Sequence, residues 1–188
     1  HGESKYIDCL ERTLYNGVIS GMSMDGGRFF YPNPLSSDGK YAFNADNTKT
    51  RQPWFGCACC PSNLCRFIPS VPGYLYGVKD NNIYVNLFAG NTSTIKVQGK
   101  DVVLEETTEY PWNGDIKISV KKSGVKNANL LVRIPGWVRN QVVPSDLYKY
   151  SDAENPAYSV TVNGKAVEAD LDANKGYLPV KNIKKGDV

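Results

Sequence analysis

Apolar residues recur at Tyr6, Ile7, Leu10, Leu14 and Val18, a three- and four-residue spacing that predicts one amphipathic helix over residues 4–22. Ser4 is a suitable N-cap, and Gly17 and Gly21 mark the decay of the helix. Asp25-Gly26-Gly27 then reads as a tight turn. Arg28-Phe29-Phe30-Tyr31 reads as a short strand stopped by Pro32 and Pro34. Residues 36–53 are polar and predict a loop. Ser62 to Ile68 predict a short helix with Pro61 at its first turn.

From Tyr74 the period changes to two. Segments 74–78, 83–88, 93–97, 102–106, 115–120, 128–134, 158–162 and 176–180 predict strands, with Gly or Asn in most of the turns between them. Asn163-Gly164 predicts a hairpin, Pro135-Gly136-Trp137 breaks one strand, and residues 140–156 read as a surface excursion. Repeated short strands with little helix predict a mainly β protein built as an antiparallel sandwich. The expected division is residues 1–70, the end of a helical domain, and residues 71–188, a β-sandwich.

Composition narrows the function classes. The 188 residues carry a net charge of +3 with the cations scattered, so no basic run points to nucleic acid. No apolar stretch approaches the roughly 18 residues of a membrane span. Twelve tyrosines and three tryptophans suit either a carbohydrate-facing surface or the core of a sandwich. The chain opens on His1-Gly2-Glu3 and closes on Lys184-Lys185-Gly186-Asp187-Val188, and is expected to be an internal piece of a longer polypeptide. The compartment is left open between the periplasm or exterior and the cytoplasm.

Five cysteines include the cluster Cys57-Ala58-Cys59-Cys60, with Cys65 close behind and Cys9 far off. A disulfide framework would spread its cysteines along the chain. Adjacent Cys59 and Cys60 pair with each other only under strain. Crowded thiols point to a metal or a reactive thiolate, or else to a buried, inert cluster. Zinc usually takes four ligands, and His1 is the sole histidine, so a Cys₂His₂ site within the chain is not expected.

Four motifs in order carry a resemblance to glycoside hydrolase family 127, the β-L-arabinofuranosidases. They are Leu10-Glu11-Arg12-Thr13-Leu14-Tyr15-Asn16, Phe29-Phe30-Tyr31-Pro32-Asn33-Pro34-Leu35, Cys59-Cys60-Pro61-Ser62-Asn63 and Leu131-Val132-Arg133-Ile134-Pro135-Gly136-Trp137. The resemblance implies an (α/α)₆ barrel followed by β-sandwich domains. It implies a zinc ion held by three cysteines and a glutamate, two of the cysteines being Cys59 and Cys60, with Cys59 the nucleophile. The remaining ligands and the acid/base glutamate would lie upstream. Glu3 and Cys9 lack the Glu-x-Cys spacing, so those roles are not carried onto them.

The resemblance also implies a carbohydrate substrate, the rest of its own catalytic domain as a partner, and no turnover by this piece alone. A homodimer is compatible with the sequence. Tyr31 and Cys57 are expected to line the sugar pocket, although a core tyrosine and an extra buried thiol are the plain alternatives. Trp54 suits sugar stacking or a packed hinge. Cys9 and Cys65 are expected in the core. Glu105 and Glu106 are expected to be solvated strand charges on opposite faces. Arg133 and Trp137 are expected to serve packing. Two other classes stay open: a non-catalytic carbohydrate-binding sandwich and a structural zinc module.

Overall fold

A computed structural model describes residues 2–57, 59–152 and 158–188. The chain divides into two compact units, Leu10–Pro72 and His1–Cys9 with Gly73–Val188. Helix α1 spans Ser4–Thr13. Beyond it the helical path loosens into a π turn over Leu14–Val18 and a 3-10 turn over Ile19–Gly21, the stretch that holds Gly17 and Gly21.

In the smaller unit the expected strand over Arg28–Tyr31 does not form. Of these four residues, Phe29 makes β-bridges, one to Met22 and one to Gln52. The Tyr31 N–H is taken by the Asn44 side chain at 2.8 Å instead of by a neighbouring strand, so no ladder can extend. Helix α2 spans Cys59–Phe67 and starts earlier than the sequence suggests. Pro61 still falls in its first turn, where an N–H has no intrahelical partner to lose. The stretch 36–53 is loop apart from one 3-10 turn, Ala45–Asn47.

The larger unit is mostly β. Strands β1 (Tyr76–Lys79), β2 (Asn82–Val85), β6 (Asn129–Arg133) and β9 (Tyr177–Val180) form one sheet in the order β1-β2-β6-β9. Strands β3 (Asn91–Val97), β4 (Lys100–Thr108) and β5 (Ile116–Ser123) form a second. Strands β7 (Thr161–Val162) and β8 (Lys165–Ala166) form the predicted hairpin. Asn163 and Gly164 both take positive φ, 52° and 78°, as a two-residue type I′ turn demands.

One pairing departs from the antiparallel expectation. β2 and β6 run parallel, because β3–β5 leave to build the second sheet before the chain returns beside β2. Both sheets feed one apolar core that includes Ile83 and Val85 of β2, Val97 of β3, Val102 and Leu104 of β4, and Leu130 of β6. Residues 140–152 are irregular and largely exposed, and 153–157 of the expected excursion lie outside the described residues.

Asp8 anchors the first helical turns within this unit. Its carboxylate meets Arg133 at 2.7 Å and accepts the Gly136 N–H at 3.1 Å. Arg133 is fully buried, donates to the Asn86 carbonyl at 2.6 Å and lies over the Phe88 ring. Its expected packing role is thus an electrostatic one as well. Trp137 is half exposed.

Candidate functional site

The smaller unit fixes its chemistry around one aromatic stack. Phe55, 2% exposed, packs against Phe29 with ring centroids 5.4 Å apart and edge-on against Tyr31 at 5.6 Å. Asn44 is buried and locks the same place from the backbone side. Its Oδ1 accepts the Tyr31 N–H, and its Nδ2 donates to the Thr50 carbonyl at 3.0 Å. The Tyr31 ring is therefore held from two directions, and its hydroxyl has a defined target.

That target is Cys59. Tyr31 Oη lies 2.5 Å from Cys59 Sγ. Cys57 Sγ donates to Cys59 Sγ at 3.4 Å, and Cys60 Sγ is 3.8 Å from it. The four residues singled out from the sequence, Tyr31, Cys57, Cys59 and Cys60, thus converge on one sulfur. Cys57 precedes α2, while Cys59 and Cys60 are its first two residues. A helix start favours negative charge, since its N–H groups point outward without partners.

The neighbours divide the thiols by acidity. Hydrogen bonds from Tyr31, then from Cys57, hold the Cys59 thiol below the ordinary range. Burial, then the Cys59 sulfur, pushes Cys60 up. The sulfurs of Cys57 and Cys59 hold the Tyr31 phenol well above its usual value, which favours the phenol as the protonated partner of the Cys59 sulfur. The cluster therefore presents the exposed Cys59 sulfur, its acidity raised, with a phenol and a thiol directed at it. Among the described residues, no group of three or more His, Cys, Asp or Glu side chains is arranged to hold a metal ion.

Two sequence expectations about the other cysteines fail. Cys9 and Cys65 are exposed rather than core. The stripe beside Cys9 is itself only partly covered, with Tyr6 53% exposed and Ile7 and Leu10 half-buried. Trp54 is exposed. Asn44 and Phe55 were not legible as site residues. Asn44 sits in a polar loop where an anchoring amide looks like any other, and Phe55 reads as ordinary core.

In the larger unit Glu106 corrects another expectation. Glu105 and Glu106 do face opposite ways, but only Glu105 is a surface charge, paired with Lys121. Glu106 is 2% exposed on the same face of β4 as Val102 and Leu104. It accepts from Tyr76 Oη and the Ala89 N–H, each at 3.1 Å. Burial pushes its pKa up to about 7.

The chain belongs to the β-L-arabinofuranosidase family GH127. Residues 1–73 match the GH127 catalytic domain and residues 82–188 the GH127 middle domain. It is 31% identical over 186 residues to the non-reducing end β-L-arabinofuranosidase of Bifidobacterium longum, covering 95% of this chain and 25% of that protein. A solved GH127 β-arabinofuranosidase superposes with a TM-score of 0.88 at 56% identity, covering 100% of this chain and 28% of the other. The GH127 β-L-arabinofuranosidase of Geobacillus stearothermophilus T6 gives 0.76 at 36% identity, covering 98% and 27%. The chain thus spans about a quarter of the length of these relatives.

Proposed function

We propose that this chain supplies the thiol side of the active site of a retaining glycoside hydrolase acting on β-L-arabinofuranosides or a related glycoside, with Cys59 as nucleophile. The observation that carries the reading is the convergence of Tyr31, Cys57 and Cys60 on the Cys59 sulfur, in a chain whose relatives are β-L-arabinofuranosidases. Cys59 sulfur attacks the anomeric carbon, and the bond from that carbon to the leaving oxygen breaks. The oxygen takes its proton from a carboxylic acid outside this chain. Water then displaces the sulfur, and two inversions give net retention. Tyr31 steadies the sulfur as it gains and loses charge, and Cys57 lines the sugar pocket.

Cys59 and Cys60 would be the two ligands this chain offers to zinc. Their sulfurs stand 3.8 Å apart, which matches the edge of a tetrahedron with metal–sulfur bonds of about 2.3 Å. What zinc supplies when bound is positive charge that keeps both thiols deprotonated near neutral pH. The remaining ligands would come from outside this chain, so the 188 residues alone would not turn over substrate. The same reading takes residues 1–70 as the closing part of an (α/α)₆ barrel and residues 71–188 as a β-sandwich.

The test is Cys59→Ala in the intact parent enzyme, with zinc measured by elemental analysis. A loss of hydrolysis of roughly 10³-fold or more is expected. Full activity in that variant would leave the carbohydrate-binding module as the better reading.

A further inference from the structure

Cys57 is the thiol that neither the proposed displacement nor the proposed metal site consumes. Its sulfur stands 3.4 Å from Cys59 Sγ. That is shorter than the roughly 3.8 Å edge of a zinc–thiolate tetrahedron. Cys57 is therefore placed less like a ligand than like a reaction partner of Cys59. Within this chain both residues are exposed. Closing a disulfide needs the two sulfurs to approach by about 1.4 Å, to the standard 2.05 Å. The competing partners are worse placed. Cys60 is adjacent in sequence to Cys59, which forces a strained ring, and it is more buried than Cys57.

We propose that Cys57 and Cys59 form a reversible disulfide that caps the Cys59 sulfur under oxidation by hydroperoxides. Cys59 sulfur attacks the peroxide, the O–O bond breaks, and hydroxide leaves, giving a sulfenic acid on Cys59. The Cys57 sulfur then displaces that oxygen, which departs as water with the thiol proton, and the sulfur–sulfur bond forms. Two electrons pass from the two sulfurs to the peroxide. Thiol reductants reverse the step by exchange. The outcome shields Cys59 from irreversible oxidation to the sulfinic acid. The bond itself follows from the thiol geometry. Its consequence for activity rests on Cys59 being the nucleophile.

The experiment treats the purified parent enzyme with graded hydrogen peroxide, alkylates it under denaturing conditions and maps the tryptic peptide 52–66, which holds Cys57, Cys59, Cys60 and Cys65. The expected product is that peptide lighter by two hydrogens, with Cys60 and Cys65 alkylated and Cys57 and Cys59 not. Hydrolysis should fall in step and return with dithiothreitol. In Cys57→Ser the linked peptide should be absent, Cys59 should carry the sulfinic acid, and dithiothreitol should restore nothing. A wild-type protein with sulfinic Cys59 and alkylated Cys57, or with Cys59 joined to Cys60 or Cys65, overturns the proposal. A Cys57–Cys59 link that leaves hydrolysis untouched overturns the capping role and the nucleophile reading together, while the disulfide stands.

Discussion

Tyr31 and Cys59, 28 residues apart, meet with the phenol oxygen 2.5 Å from the sulfur. The ring reaches that point because Phe55 packs on its face and Asn44 holds its backbone N–H. Tyr31→Phe keeps the packing and deletes only the hydroxyl. A hydrogen bond to an ionised group is lost, so kcat of the intact enzyme is expected to fall roughly 10- to 100-fold. Steady-state kinetics alongside a thermal melt check it; an unchanged kcat with an unchanged melt would remove Tyr31 from the chemistry.

The Asp8 carboxylate pairs with the fully buried Arg133 at 2.7 Å. Asp8→Ala removes a paired carboxylate from a buried guanidinium, which costs about 3–5 kcal/mol. Equilibrium urea unfolding should show that loss, and Asp8→Asn, which keeps an acceptor, should lose less.

Gly176 sits at φ +83°, and a Cβ there would overlap the buried Ser4 hydroxyl. Gly176→Ala is therefore expected to cost roughly 1–3 kcal/mol from backbone conformation alone, before the clash is relieved. Calorimetric melting temperatures of the variant and its parent decide it.

Glu106 makes stability depend on pH. Its folded pKa, about 7, lies above the ordinary 4.5 because burial disfavours the charge. The folded state therefore binds the proton more tightly than the unfolded one. The stabilisation is complete below about pH 4.5 and is lost as pH rises through 7. Across that window the wild type should lose about 3 kcal/mol relative to Glu106→Gln. Melting temperatures of the two proteins from pH 4 to 9 should diverge above pH 5, with the glutamine variant gaining; parallel curves would mean the carboxyl stays ionised in the fold.

Much of this was legible where the cause is local. The α1 stripe, the period of two from Tyr74 onward and the Asn163-Gly164 turn each depend on neighbours within a few residues. The crowding of Cys57, Cys59 and Cys60 is plain in the sequence, and Tyr31 stands in one of the four motifs. What escaped depends on partners far off in sequence. Asp8 and Arg133 are 125 residues apart, and no spacing rule joins them. The alternation of β4 does place Glu106 with Val102 and Leu104. The Tyr76 hydroxyl and the Ala89 N–H help make a carboxyl tolerable there. The parallel β2–β6 pair follows from where the chain returns after the second sheet, which local pattern does not encode. Arg28–Tyr31 has strand character, yet Asn44 takes the Tyr31 N–H and stops the ladder.

The most direct measurement is of the bond itself. Rapid-quench mass spectrometry of the intact parent enzyme with a slowly hydrolysed β-L-arabinofuranoside should find one pentosyl mass on the peptide 52–66. Fragmentation should place it on Cys59, and it should disappear as product forms. An adduct on a carboxylate, or turnover at full rate with Cys59 never modified, would contradict the account.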